Sequence, residues 1–226
     1  VLGIMIGIGK KKEKHTPHNL LITLIGGILV WLGWYGFNVG SAFTFDHIAM
    51  ISFVNTVIGA SAGAFGWLIF EYILKKTTSL LGLLSGALSG LVAITPAAGY
   101  VSYMSAMIIA IIGGICCYIV INLIKVKLQY NDALDAFGIH GVGGILGAVF
   151  TGVFQSHQIN NAVQNGFIYT ADFKVVVIQL GAAIATVVFS AIVTFLIARF
   201  IKIFTPLATT QEEDKTGLDA IVHGEK

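Results

Sequence analysis

Charged residues are scarce in this sequence of 226 residues. Asp, Glu, Lys and Arg make up 11% of it, whereas soluble domains carry about 25%, and the mean hydropathy is +0.88. The long uncharged runs exclude an ordinary soluble domain and predict an all-α polytopic membrane protein. The net charge of +2 is too small to indicate nucleic acid as a partner.

Cysteine and proline are also rare, with two and three copies respectively. Cys116 and Cys117 are adjacent inside an apolar run, and vicinal cysteines rarely bridge each other. We interpret them as packing residues in preference to a redox or metal site. We expect no metal and no organic cofactor. The sequence has no metalloprotease, P-loop or nucleophile-elbow motif, so an enzyme is not expected either.

The sequence begins Val-Leu-Gly, and residues 1–9 would make about 13 Å of helix, less than half of a bilayer. We interpret this stub as the inner end of a helix whose beginning is missing, in a processed chain or a fragment. A basic loop follows at residues 10–14. It is expected to be solvated, with contact to lipid head groups as the alternative.

Uncharged runs predict six membrane spans after this stub. They cover residues 20–41, 48–70, 79–94, 100–124, 135–154 and 175–198. The third and fourth are separated by the turn signal Thr-Pro-Ala-Ala-Gly at residues 95–99. Residues 1–205 would form the transmembrane domain, and residues 206–226 a polar cytoplasmic tail.

The basic residues fix the orientation of these spans. The predicted cytoplasmic segments hold twelve of the thirteen Lys and Arg residues, and only Lys174 falls outside. The twelve are Lys10, Lys11, Lys12, Lys14, Lys75, Lys76, Lys125, Lys127, Arg199, Lys202, Lys215 and Lys226. Such a bias follows the positive-inside rule and predicts a cytoplasmic carboxyl terminus.

A histidine stands alone in the apolar fifth span. Residues 135–154 read D-A-F-G-I-H-G-V-G-G-I-L-G-A-V-F-T-G-V-F, and no Asp, Glu, Lys or Arg follows Asp135 until Asp172. An ionisable side chain within a membrane usually faces a cavity or a partner. His140 is therefore a candidate pore residue that exchanges hydrogen bonds with a small polar molecule. The alternative is a packing role in which its ring bonds a backbone carbonyl.

Small residues recur in the same span at Gly144, Ala148 and Gly152. Their spacing of four places them on one helix face, where we expect another helix to approach closely. Asp135 lies about 140° around the helix from His140, so the two do not share a face. We interpret Asp135 as a cap for the unpaired N–H groups at the helix start.

Aromatic residues of the first span form a second candidate site. Trp34, Phe37 and Ser41 stand at i, i+3 and i+7 and share a helix face, with Ser41 near the outer end. A hydroxyl and aromatic rings at a pore mouth can hold a small cation through hydrogen bonds and cation–π contacts. The spacing leaves an aromatic belt or a packing face open as the alternative.

Four motifs follow one another along the chain. They are W-L-G-W-Y-G-F-N-V-G-S at residues 31–41, F-V-N-T at 53–56, G-L-V-A-I-T-P-A-A-G-Y-V at 90–101 and F-G-I-H-G-V-G-G-I-L-G-A at 137–148. Together they resemble the Amt/Mep/Rh family of ammonium transporters, nearest to bacterial Amt. The resemblance implies a homotrimer of eleven-helix protomers, each with its own pore between two inverted halves. This chain then looks like helices six to eleven, which are the second inverted half plus the long last helix.

The resemblance also implies roles for single residues. His140 looks like one of two pore histidines, and Asp135 like the buried structural aspartate ahead of it. Phe37 resembles one of two stacked gate phenylalanines, and Ser41 the hydroxyl of the external ammonium site. Trp34 resembles the pore-wall tryptophan near the histidines. The tail resembles the cytoplasmic segment that contacts neighbouring subunits and permits regulation by a PII-type signalling protein.

Ammonium or ammonia is the substrate that the resemblance implies, and the bilayer of a bacterial inner membrane the location. The partner histidine and the other gate phenylalanine belong to the first half of such a transporter, which this sequence lacks. A pore with one wall cannot exclude lipid or water, so we expect the chain alone not to conduct. An Amt-like ammonium sensor that signals through its tail and an inactive half-transporter are the alternatives.

Overall fold

A computed structural model describes residues 1–6, 19–128, 130, 132, 134–210, 213 and 216–224. The α-helices within them are α1 (Leu2–Ile6), α2 (Leu20–Gly40), α3 (His47–Lys75), α4 (Leu80–Ile94), α5 (Tyr103–Ile119), α6 (Lys125–Leu128), α7 (Gly143–Phe154), α8 (Phe167–Thr170) and α9 (Lys174–Phe204). A 3-10 turn occupies Thr95–Ala97, and π-helical segments occupy Val120–Ile124, Phe137–Val142 and Asp219–His223. The predicted basic loop at residues 10–14 lies outside the described residues.

Among the described residues, six helical stretches are long and apolar enough to cross a membrane. They are Leu20–Gly40, His47–Lys75, Leu80–Ala97, Tyr103–Leu128, Phe137–Phe154 and Lys174–Phe204. Each matches one of the six predicted spans. The prediction of an all-α polytopic membrane protein is therefore confirmed.

The chain divides into two compact units. The first contains residues 1–12, 129–131 and 186–226, and the second contains residues 13–128 and 132–185. The first unit includes α1, the carboxyl-terminal part of α9 and the described part of the tail. The second unit holds every residue of the candidate site.

Glycine contacts build the core of the second unit, where α3 packs on both α4 and α5. A Cβ placed on Gly63 would strike the Cα of Gly90, and one on Gly90 would strike the carbonyl oxygen of Gly59. One on Gly114 would strike the carbonyl of Gly63. Glycines four residues apart, such as Gly59 and Gly63, let helix backbones approach closely within a membrane.

Two spans extend further than the positions of charged residues predicted. Helix α3 continues through Glu71 to Lys75, because the Glu71 carboxylate lies at the start of α4 and accepts from the Ser79 N–H at 3.2 Å. Glu71 is consequently only 4% exposed. Helix α9 continues past Arg199 to Phe204. A long basic side chain can extend toward water without interrupting a helix.

The break between α4 and α5 is held by a buried amide. The Nδ2 atom of Asn55 donates to the carbonyls of Ala98 and Val101 at 2.8 and 2.9 Å. Ser102 then caps α5 by accepting from the Ser105 N–H, so the fourth span starts at Tyr103 rather than at residue 100. These bonds satisfy backbone groups that the break leaves unpaired.

Candidate functional site

A cavity of about 450 Å³ lies between α2, the end of α4 and the segment that carries His140. We call it the histidine cavity. It is lined by Val30, Gly33, Trp34, Phe37, Val92, Thr95, Pro96, His140 and Gly144. The sequence singled out Trp34 and Phe37 on the first span and His140 on the fifth, and the fold brings all three to one mainly apolar space.

Trp34 is the central contact of the histidine cavity. Its indole N–H donates to the Thr95 hydroxyl at 2.8 Å, and that hydroxyl donates to the Leu91 carbonyl at 2.7 Å. Its ring stacks on the His140 imidazole with centroids 6.2 Å apart and planes 19° apart. It also meets the Phe37 ring edge-on at 6.1 Å. A single hydrogen bond therefore orients the ring that contacts both of the other candidate residues.

His140 lies on a π-helical segment rather than in a regular α-helix. Such π-helical turns are rare and frequently occur at functional sites. The segment packs closely on the helix before it, since a Cβ on Gly138 would strike the Ile121 side chain. The Cys117 thiol also contacts the Ile139 carbonyl at 3.9 Å. Within the described part of the chain the His140 ring makes no hydrogen bond, and both ring nitrogens can serve a ligand in the cavity.

Asp135 has a left-handed backbone, with φ of 55°. Its carboxylate accepts from the Lys125 ammonium at 2.6 Å, and Lys125 also donates to the Asp132 carbonyl. The cap expected of Asp135 is made by Asp132, whose carboxylate accepts from the N–H groups of Ala136 and Phe137 at 2.9 Å. The difference arises because Asp135 is engaged by Lys125. Its side chain is 31% exposed and so only partly buried.

A second cavity, of about 240 Å³, contains Ser41, and we call it the serine cavity. Its lining residues are Phe37, Asn38, Ser41, Ala42, Ile48, Ser52, Thr95, Ala98, Gly99 and Tyr100. Phe37 and Thr95 line both cavities. The Ser41 hydroxyl donates to the Phe37 carbonyl at 2.7 Å, which leaves its oxygen lone pairs available as acceptors.

The closest helix contact of α7 differs from the expected one. Gly144 faces the histidine cavity, one turn after His140, and a Cβ there would meet nothing within 4 Å. A Cβ on Gly147 would instead strike the Ala93 carbonyl oxygen, and one on Gly143 would lie 3.1 Å from the Val92 side chain. Helix α7 therefore presents Gly143 and Gly147 to α4, one residue before the expected face.

Gly152 lies at a different helix contact, since a Cβ there would be 2.9 Å from the Cα of Val176 in α9. Ala148 is half-buried between these positions. The three small residues at intervals of four thus do not share one packing partner. Over two turns such a spacing drifts around the helix by about 80°, because each step of four residues turns 400°.

Sequence reasoning missed three polar residues of the two cavities. Thr95 was taken only as part of a turn signal, although it accepts the Trp34 hydrogen bond. Asn38 and Ser52 line the serine cavity and were not singled out. Asn38 adjoins Phe37 within the first motif, so its position beside the aromatic residues was an available signal. No such signal marked Ser52 in the sequence, because only the fold brings α3 beside Ser41.

The two cysteines are free thiols, and Cys117 is buried in the core. Its contacts with the His140 segment agree with a packing role. The described residues contain no group of three or more His, Cys, Asp or Glu side chains that could hold a metal ion.

Comparison with known proteins gives concordant matches over 90% or more of the chain. The model of the ammonium transporter family matches residues 1–226. An ammonium transporter of Bacillus subtilis (strain 168) is 48% identical over 226 residues, which cover 100% of this chain and 56% of the relative. The crystal structure of Candida albicans Mep2 superposes with a TM-score of 0.82 and 31% identity, covering 90% of this chain and 46% of that one.

A solved sensor Amt protein also matches, with a TM-score of 0.79 and 27% identity over 97% of this chain and 55% of that one. The chain thus spans about half the length of the proteins it matches. The similarity extends over both cavities and over all six apolar helices.

Proposed function

Because this multi-pass membrane protein belongs to the ammonium transporter family, we propose that the protein in which it occurs transports ammonium or ammonia across a membrane. The observation that supports a transport path through this chain is the stacking of Trp34 on His140 at the wall of the histidine cavity. Phe37 lines both this cavity and the serine cavity. We propose these three residues and Ser41 as the pore residues of this chain.

Ammonium would first bind as a cation in the serine cavity. The Ser41 oxygen can accept a hydrogen bond from the ion. Helix α2 ends beside this cavity at Gly40, and the last carbonyls of a helix carry partial negative charge that favours a cation. The Phe37 ring adds a face for a cation–π contact.

Passage beyond Phe37 removes water from the ion. The histidine cavity is mainly apolar, and a bare ammonium ion is very costly in such surroundings. Release of a proton before or during passage is therefore favoured, with neutral ammonia crossing the apolar stretch. The His140 imidazole offers one donor and one acceptor when neutral, and it can accept and relay hydrogen bonds or protons.

Trp34 keeps the His140 ring aligned along the wall. Because its own N–H is engaged by Thr95, the indole presents an apolar face rather than a donor to the cavity. Ammonia crossing the cavity would then exchange hydrogen bonds with the His140 imidazole. This arrangement favours a small neutral molecule over a hydrated metal cation, which the apolar wall cannot resolvate.

The layout of the whole protein follows the family resemblance and the basic residues. We propose a transmembrane domain over residues 1–205 and a cytoplasmic tail over residues 206–226, in a bacterial inner membrane. The protomer would assemble as a homotrimer, and a PII-type signalling protein would regulate it through the tail. The second pore wall, with the partner histidine and gate phenylalanine, would come from the half of the relatives' length that this chain does not span.

A sensor function is the second candidate. It is favoured by the match to a solved sensor Amt protein, which covers 97% of this chain. A receptor would use the same binding residues, but ammonium binding would change the signalling output of a cytoplasmic partner instead of producing flux. An inactive half-transporter would show neither response.

Ammonium transport into proteoliposomes tests the proposal, read both as evoked current and as the change of internal pH that ammonia flux causes. The natural full-length protein is expected to give saturable transport that empty liposomes do not show and that potassium does not replace. The 226-residue chain alone is expected to give none, because one pore wall cannot exclude lipid. Absence of both current and saturable ammonia flux from correctly assembled full-length protein, together with ammonium-dependent binding, would favour the sensor.

A further inference from the structure

The serine cavity has a second polar wall, formed by α3 rather than by α2. Ser52 lines this cavity although the residue as a whole is only 3% exposed. Its hydroxyl makes no hydrogen bond with any residue that the structure describes. A hydroxyl that makes no hydrogen bond within the protein is costly unless a ligand or water meets it. The Ser52 hydroxyl is therefore available to a species in the cavity that this residue lines.

The surroundings of Ser52 keep this hydroxyl available. Three other residues that line this cavity have backbone carbonyls that already accept hydrogen bonds. Those of Ala98, Gly99 and Tyr100 accept from the Asn55 side chain, the Asn160 side chain and the Ser156 N–H. A Cβ on Gly99 would lie 3.2 Å from the Ser52 oxygen. Glycine at this position leaves space next to the hydroxyl for a ligand.

Asn38 supplies a second free acceptor. The Thr56 hydroxyl donates its hydrogen to the Ser52 carbonyl at 2.6 Å. It must therefore accept from Asn38, whose Nδ2 lies 3.0 Å away. This chain of bonds fixes the amide so that its Oδ1 atom faces away from Thr56. No described residue donates to that oxygen, and Asn38 is 6% exposed at the cavity wall.

We propose that the oxygens of Ser52 and Asn38 join that of Ser41 as three neutral acceptors that bind the ammonium ion in the serine cavity. Ser52 and Asn38 then determine affinity and specificity at this site, which rests on the proposed transport of ammonium. Ammonium carries four N–H donors, whereas an alkali-metal ion carries none. Three of the ammonium N–H groups can donate to the three acceptor oxygens, and the fourth can donate to water. Such a site favours ammonium over an alkali-metal ion. The cavity of about 240 Å³ holds the ion and several waters, since one water occupies about 30 Å³.

Methylammonium provides a chemical comparison. It has three N–H donors and a methyl group, so one acceptor or water position of the site must face an apolar group. The methyl group can replace the N–H that ammonium leaves to water, so both ions use all three acceptors. Removing one acceptor therefore raises the half-saturating concentrations of both ions.

The test compares three variants of the natural full-length protein in proteoliposomes. Ser52→Ala removes the hydroxyl, and Ser52→Cys keeps a side chain of similar size whose sulfur is a weak acceptor. Ser61→Ala is the matched control, because Ser61 lies on the same helix, donates to the Val57 carbonyl and is outside the serine cavity. The half-saturating concentrations of ammonium and methylammonium are measured from evoked current or from the change of internal pH.

Both Ser52 variants are expected to raise the half-saturating ammonium concentration by roughly tenfold, the effect of losing one hydrogen bond to a charged group. Ser61→Ala is expected to match the natural protein. Unchanged half-saturation in Ser52→Ala would overturn the proposal, and so would a defect in Ser52→Ala that Ser52→Cys restores, because volume would then be the cause. If the natural protein itself gives neither a saturable current nor a saturable ammonia flux, the proposed transport function fails instead.

Discussion

The Trp34 indole lies nearly parallel to the His140 imidazole, with ring centroids 6.2 Å apart, although the two residues are 106 positions apart in the sequence. The indole is oriented by its hydrogen bond to Thr95 on the 3-10 turn. Three separate elements thus meet at one contact. The geometry of the histidine cavity depends on the break between α4 and α5 as much as on the histidine.

Thr95→Val is expected to disturb this contact. The variant keeps the side-chain shape but leaves the Trp34 N–H without an acceptor, a loss of about 1–3 kcal/mol for a buried donor. Ammonium flux and the tryptophan fluorescence maximum should both change. Thr95→Ser retains the hydroxyl and serves as the control. Equal flux and spectra in the two variants would show that Thr95 does not position Trp34.

Gly147→Ala is expected to destabilise the protein by about 1–3 kcal/mol, as overpacking does. The new Cβ would strike the Ala93 carbonyl oxygen, a backbone atom that cannot turn aside. Gly144→Ala is the control, because nothing lies within 4 Å of its Cβ position. Thermal unfolding in detergent measures both. A Gly144 variant less stable than the Gly147 variant would contradict the observed packing of α7.

Lys125→Met should loosen the segment that leads to His140. The variant removes the ion pair with Asp135 at 2.6 Å and the bond to the Asp132 carbonyl. A loss of about 1–2 kcal/mol is expected, since both side chains are only partly exposed. Lys127→Met, at an exposed position of the same helix, is expected to change stability by less than about 0.5 kcal/mol. Equal thermal stability of the two variants would count against a structural role for the pair.

Asp46 is expected to make stability depend on pH under acidic conditions. The Thr44 hydroxyl, followed by the Ala49 N–H, lowers the pKa of the Asp46 carboxyl below its ordinary value of 3.8. Because the pKa is lower in the folded state, the stabilisation is complete above the ordinary value and is lost as pH falls through the folded value. The melting-temperature difference between the natural protein and Asp46→Asn should therefore shrink in that range.

Thr44→Val removes the largest cause of this shift. The acidic transition should then move to higher pH, toward the ordinary carboxyl value. A transition that stays in place would mean that the Thr44 hydroxyl does not stabilise the ionised carboxylate.

The number of spans could be predicted from the sequence because hydropathy and charge act locally along the chain. Helix ends could not, since they depend on contacts between helices. Glu71 was taken as a span end, but it lies inside α3, where it pairs with the start of α4. The glycine pairs of the core, such as Gly59 with Gly63, were visible as a spacing of four but became informative only with their partner helix.

The candidate pore residues were reached partly from spacing and partly from family resemblance. Spacing placed Trp34 and Phe37 on one face, and the structure brings His140 to the same cavity. Spacing could not show that Asp132 caps the helix that carries His140, because spacing arguments assume a regular α-helix. Asp135 has a left-handed backbone instead, and a π-helical segment follows it. Spacing also could not find Ser52, whose position depends on how α3 packs beside α2.

The most direct test of the proposed transport path is the effect of His140→Ala in the natural full-length protein. The variant is expected to elute as the same oligomer as the natural protein, because the ring makes no hydrogen bond with a described residue. Ammonium-evoked current or ammonia flux in proteoliposomes should fall by roughly tenfold or more, or the exclusion of potassium should be lost, since the variant removes the proposed proton relay. His157→Ala, in an exposed loop, is the control. Unchanged current and ammonia flux together with unchanged potassium exclusion in His140→Ala would contradict the assignment of His140 to the pore.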